Sequence, residues 1–196
     1  MKPSYAPKTK RGQVRREQIL RAAERVFGTI GYADTSITDI TREANTAQGT
    51  LYIYFKGKHE VFIELVREMG HLTREVISRT VSGAPSRLEA ERLGLSAFLR
   101  FVAERPELYR IVEEARIAAP DAYRAYFTEF ANAYRSHLLA AEATGEIRPG
   151  NAEIRAWALM GMAKTLGERY VLWQDDTDLD QVVDSATDLI RNGLEP

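Results

Sequence analysis

Apolar positions recur along this chain at the three- and four-residue spacing of helix faces, and no stretch alternates as a half-buried strand does. Ile19, Ala23, Val26, Phe27 and Ile30 form one stripe, which Gly31 closes. Ser36 with Asp39 has the form of a capping box, opening a short helix whose apolar face is Ile37, Ile40 and Ala44. A third short helix is expected from about Ala47 to Phe55, broken at Lys56 and Gly57. A long stripe then runs through Val61, Phe62, Leu65, Val66, Met69, Leu72 and Val76 toward the break at Ser82-Gly83-Ala84-Pro85.

Past that break the helices lengthen. Ser86 with Glu89 starts one that ends before Arg105 and Pro106, and Pro106 and Pro120 each suit the first turn of a following helix. Gly145 and Pro149-Gly150 mark a further turn. The segment from Trp157 to Trp173 is the most apolar helix, and Asp178 with Gln181 opens a last amphipathic one through Val182, Val183, Ala186, Leu189 and Ile190. The expected fold class is all-α, with about nine helices. A three-helix front, a connecting helix and a five-helix body account for them.

Composition narrows the function. The 196 residues include no cysteine, which excludes disulfides, thiolate metal sites and a catalytic thiol. His59, His71 and His137 are scattered and form no metal-binding pair. No G-x-S-x-G, P-loop or dinucleotide glycine pattern occurs, so an enzyme is not expected, nor a metal or cofactor. No apolar run reaches the roughly 20 residues that span a bilayer. The basic start is followed by no apolar signal core, so no membrane is expected and the cytoplasm is the default location.

The net charge of −1 hides an asymmetry: residues 1–60 hold 11 Lys and Arg against 6 Asp and Glu. The first sixteen residues hold Lys2, Lys8, Lys10, Arg11, Arg15 and Arg16 and no acid. A basic front on an acidic body fits an anionic partner met at one end, as well as a merely solvated tail.

Ser36 to Phe55, SITDITREANTAQGTLYIYF, reads as two short helices across a tight turn, the form of a helix-turn-helix. A helix that enters the major groove end-on needs small or hydrogen-bonding side chains in its first turn, and Thr46, Ala47, Gln48, Gly49 and Thr50 supply them. Leu51 and Phe55 would anchor it to the preceding helices. Tyr52 and Tyr54, with Lys56 and Lys58 behind, suit phosphate oxygens. A plain helical hairpin with surface tyrosines is the other reading of the same residues.

The segment from Ile37 to Lys58 resembles the DNA-binding domain of the TetR family of bacterial regulators, whose pattern is close to I-T-x-I-A-x-x-A-G-V-S-x-G-T-L-Y-x-Y-F-x-x-K. The preceding Glu17 to Thr35 fits the family's E-x-I-L-x-A-A-x-x-x-F-x-x-x-G-Y-x-x-T. The resemblance implies a basic tail over residues 1–12, a DNA-binding domain over 13–73 with its helix-turn-helix at 36–55, and a ligand-binding and dimerisation domain over 74–196. It places base-reading positions on Thr46, Gln48, Gly49 and Thr50. Phosphate contacts fall on Thr35, Ser36, Thr38, Tyr52, Tyr54 and Lys58. Three departures fall in the turn: Asn45 for the family's Gly, Thr46 for Val and Ala47 for Ser. Asparagine best replaces glycine in a left-handed conformation, and Thr46 is expected to take over the N-cap that Ala47 cannot provide.

The body implied by the resemblance binds an inducer and dimerises. Phe98, Phe101, Tyr109, Tyr123, Phe127, Phe130, Trp157 and Met160 could wall an apolar cavity or simply pack a core, with Lys164 as a partner for an anionic group. Looser likeness of RFVAERPELYRIVEEA and GERYVLW to regulators of acyl-coenzyme A metabolism makes an acyl-CoA the first expected inducer. The expected function is a repressor that binds a palindromic double-stranded DNA operator as a homodimer and is released by a hydrophobic inducer. An efflux-type repressor sensing drugs or other apolar compounds, and a ligand-independent architectural DNA-binding protein, are the alternatives. The homodimer is expected through Trp157–Trp173 and Leu179–Ile190, with Ala156, Gly161, Ala163 and Gly167 allowing close approach. The helix beginning at Lys58 is the coupling element expected between inducer and DNA.

Overall fold

The computed structural model describes residues 9–173 and 177–194, and these are helical with short connections. In chain order the helices are α1 (Lys10–Asp34), α2 (Ile37–Glu43), α3 (Gln48–Tyr54), α4 (Lys58–Val81), α5 (Arg87–Glu104), α6 (Pro106–Ala118), α7 (Pro120–Ala143), α8 (Ala152–Gly167) and α9 (Leu179–Leu194). A π-helical turn, Glu168–Leu172, continues α8. The described residues form two compact units, one within 1–69 and 107–126, the other within 70–106 and 127–196. That division differs from the expected boundary after residue 73, because most of α6 and the start of α7 join the front helices.

The first unit is built around α1. Ile19, Leu20, Ala23 and Phe27 on its inner face meet Ile40 of α2, Leu51 of α3, Phe55 and Phe62, all of them buried. Phe27 and Phe62 pack edge to face at 5.2 Å between centroids, a favoured aromatic geometry. α1 begins earlier than its apolar stripe, at Lys10, because the Thr9 hydroxyl accepts the Gly12 N–H and caps it. Residues 10–12, expected as tail, are therefore helix. Near the other end Gly31 adopts φ 80°, so the helical path breaks there, at a residue whose missing Cβ permits it.

The second unit has two apolar clusters. Leu95 and Leu99 of α5 meet Val183 and Ala186 of α9, while Leu138, Ala141, Ile147, Ala152, Ala156 and Ile190 form the other. Beside them lies a buried charged group: Glu91 is 3% exposed and faces the Arg87 Nε at 2.8 Å. The Tyr134 hydroxyl donates to the same carboxyl. Burial pushes the Glu91 carboxyl above its usual range, against the opposing pull of Arg87. Among the described residues, no helix is long and apolar enough to cross a membrane.

Candidate nucleic-acid interface

The local sequence specifies the helix-turn-helix through its caps. Ser36 is the N-cap of α2: its hydroxyl accepts the Asp39 N–H at 3.1 Å, and Asp39 in turn accepts the Ser36 N–H at 3.0 Å. The Ser36 hydroxyl also donates to the Asp39 carboxylate, and these bonds hold its carboxyl below the usual range. At the other end of α2, Asn45 takes φ 47°, the single non-glycine residue with positive φ among those described. The Asn45 N–H donates to the Arg42 carbonyl and the Thr46 N–H to the Thr41 carbonyl, the paired bonds of a Schellman stop. Asparagine thus does the work of the glycine it replaces, at a left-handed position it tolerates.

The expectation for Thr46 needs correction. Ala47 occupies the N-cap of α3, and no side chain caps that end. The Thr46 backbone is already committed to closing α2, which places the residue one step too early to cap α3. Gly49 has open space where a Cβ would stand. A surface can therefore come close to the backbone there.

Leu51 is fully buried and Phe55 nearly so, which fixes the opposite face of α3 outward. Gln48, Gly49, Tyr52 and Ile53 are exposed on α3, and Thr46, Thr50 and Tyr54 are half-buried. Gln48 donates from its amide to the Thr38 hydroxyl at 2.8 Å, which ties two expected DNA contacts together across the turn. Ile53 escaped the sequence reading. It is 63% exposed, an apolar side chain on an otherwise polar face, and helical periodicity from the buried Leu51 and Phe55 would have found it.

Two expected phosphate contacts are placed differently. Thr35 is 3% exposed, and its hydroxyl donates at 2.6 Å to the Gly31 carbonyl. Its side chain ties the broken end of α1 and is not presented to a phosphate. Lys58 extends its ammonium to the carbonyls of Tyr32 at 2.7 Å and Ala33 at 3.2 Å. It also sits 4.4 Å from the centroid of the Tyr32 ring. A cation suits the C-terminal carbonyls of a helix, and a third N–H remains on the ammonium. Of the early basic residues, Arg16 points inward. It pairs with Glu64 at 2.5 Å and stacks over the Phe55 ring at 5.2 Å. Lys2 lies outside the described residues, as does Lys8.

The residues expected to line an inducer cavity are divided between the units. Tyr109 and Tyr123 belong to the first, and Phe98, Phe101, Phe127, Phe130, Trp157, Met160 and Lys164 to the second. Phe98 packs against the α5–α9 cluster and Phe101 is buried, while Met160 and Lys164 are half-buried. Trp157 is a correction: it is 44% exposed, on the outward face of α8. That helix is apolar all round, so its sequence could not tell which side faces in. The residues expected to form a homodimer face do not all point outward, for the same reason. Ala156, Gly167, Val183 and Ala186 are buried within the protomer, and the outward apolar residues are Ile154, Trp157, Ala158 and Gly161 of α8 and Leu189 of α9.

An all-helical chain whose second and third helices form a capped helix-turn-helix, with a polar outward face on the third, belongs to the helix-turn-helix class of nucleic-acid-binding proteins. Residues 19–65 match the family described as bacterial regulatory proteins, tetR family. It is 36% identical over 86 residues to the HTH-type transcriptional regulator LmrA of Bacillus subtilis, a match covering 43% of this chain and 44% of LmrA. The match thus spans less than half the length of that curated relative. The fatty acid degradation regulator FadR from Bacillus halodurans has the same fold, with a TM-score of 0.80 at 20% identity over 94% of this chain and 96% of that one. So does the transcriptional regulator FadR from Bacillus subtilis, solved in complex with stearoyl-CoA, with a TM-score of 0.78 at 22% identity over 88% and 96%.

Proposed function

We propose that this chain is a repressor that binds a two-fold symmetric operator as a homodimer and releases it when an acyl-CoA binds the body. The observation that carries the DNA-binding half is the outward face of α3. There Gln48, Gly49 and Tyr52 lie exposed above a helix pinned by Leu51 and Phe55. Gln48 is the base reader, since its amide can accept from N6 and donate to N7 on the major-groove edge of adenine. Thr46 and Thr50 flank it, and Ser36, Thr38, Tyr52, Tyr54 and Lys58 meet phosphates. Ile53 stands where an apolar side chain can meet a thymine methyl.

The outward apolar face of α8, with Leu189 of α9, suits a second copy in a four-helix interface. Gly161 has open space around it and lets a partner helix approach closely. The acyl-CoA half rests on the fold shared with a FadR solved with stearoyl-CoA and on the aromatic density of the body.

Selection of bound fragments from genomic DNA, followed by titration of acyl-CoAs with and without the selected duplex, tests the whole reading. An inducer must bind more weakly to the operator-bound protein, by the same factor with which it weakens operator binding, typically about 5- to 150-fold. Equal affinity in both titrations excludes that compound as the inducer. Enrichment of no DNA sequence defeats the operator-binding proposal. A monomer in light scattering defeats the dimer.

A further inference from the structure

We infer that Glu114 of α6 is a positioning residue for the DNA interface, acting through Tyr32 on Lys58. The inference rests on the DNA-binding reading above and adds an element that lies far from α3 in sequence. α6 belongs to the same compact unit as α1 to α3. It approaches the end of α1 too closely for a side chain to intervene. A Cβ on Gly28 would stand 2.4 Å from the Glu107 Cβ, and one on Gly31 would stand 2.8 Å from the Glu114 Oε1.

At that contact the Glu114 carboxylate accepts the Tyr32 N–H at 2.8 Å. The bond falls one residue past the break at Gly31, where the N–H leaves the helical ladder and needs another acceptor. Tyr32 is then the hub of the turn. Its carbonyl accepts from Lys58 at 2.7 Å, its hydroxyl lies 3.3 Å from the His59 Nδ1, and its ring packs 4.5 Å from Phe62. Thr35 ties the same break from the other side through the Gly31 carbonyl. A carboxylate on α6 therefore fixes the backbone that fixes the first residue of α4, immediately after the recognition helix. Lys58 keeps its position only while Tyr32 keeps its own.

The test uses the full chain and a short random-sequence DNA duplex, titrated over a salt series. Glu114→Ala, Lys58→Ala and the double variant are compared with the wild type, and Glu114→Gln keeps an acceptor for the Tyr32 N–H. Glu114→Ala is expected to weaken binding several-fold. It should also lower the slope of log affinity on log salt by about 0.9, the share of one phosphate contact. The double variant should be no weaker than Lys58→Ala alone, because both remove the same contact, and Glu114→Gln should retain most of the affinity. Additive losses overturn the inference, as does a Glu114→Ala salt slope equal to that of the wild type.

Hydrogen exchange without DNA separates this from failure of the DNA-binding reading. Faster exchange in Glu114→Ala over residues 31–35 and also 57–61 supports the relay. Faster exchange confined to the first stretch overturns it, whether or not any duplex binds. A wild type that binds no duplex at low salt, with both stretches loosened, refutes the DNA-binding reading and leaves the structural relay standing.

Discussion

Two carboxylates at the start of helices show how differently the units treat charge. Asp39 sits at the surface in the first turn of α2, where the Ser36 hydroxyl and N–H hold its carboxyl below the ordinary range. Glu91, in α5 of the second unit, lies beneath Arg87 and Tyr134, and burial pushes its carboxyl up. The first carboxylate stabilises a local motif readable from four consecutive residues. The second depends on Tyr134, forty-three positions away. A short-range device can be written into sequence at one place, whereas an interior ion pair exists only when distant segments meet. The first unit therefore presents a sequence-coded surface, and the second holds its chemistry inside.

The largest expected effect breaks this comparison on the interior side. Arg87→Met removes the partner of a buried carboxylate and should cost about 3–5 kcal/mol in urea unfolding at neutral pH. The Glu91 carboxyl is raised in the folded state, so the charge disappears as pH falls through that raised value. The cost of Arg87→Met should therefore shrink in mild acid, and a cost independent of pH would mean that Glu91 is not the group left unpaired. Next comes the anchor of the outward face. Leu51→Ala in α3 should cost about 2–5 kcal/mol, measured by the same unfolding, because Leu51 is fully buried.

Smaller effects test the local motifs of the first unit. Asn45→Ala should cost about 1–2 kcal/mol from the left-handed backbone, while Asn45→Gly should be no less stable than the wild type. Equal losses in both would assign the cost to the asparagine side chain instead. Smallest is Ser36→Ala, at about 1 kcal/mol for the lost cap. Asp39 titrates below its ordinary 3.8, so the capping box is intact above that value and its contribution is lost as pH falls through the lower folded one. The gap between the wild type and Ser36→Ala should narrow there, down to the part carried by the Asp39 N–H bond to the Ser36 hydroxyl. The two pH responses differ in origin: acid relieves Arg87→Met by discharging the interior, and it narrows the gap for Ser36→Ala by dismantling the surface motif.

The sequence by itself determined the helices and most of their ends. Ser36, Asn45, Ser86, Pro106, Pro120 and Gly145 act within a few residues of where they stand, and each marks a helix end in the structure. It also determined the helix-turn-helix, whose buried Leu51 and Phe55 and exposed Gln48, Gly49 and Tyr52 follow from one local period. Tertiary structure alone decided which side of α8 faces inward, because a helix apolar on every side carries no period that distinguishes Ala156 from Trp157. It alone turned Thr35 and Arg16 inward, and it brought Glu91 under Arg87 and Tyr134. It also set the α6 carboxylate of Glu114 on the broken end of α1, eighty-two residues away. Periodicity and capping are properties of neighbours along the chain, and burial between distant segments is a property of the packed molecule.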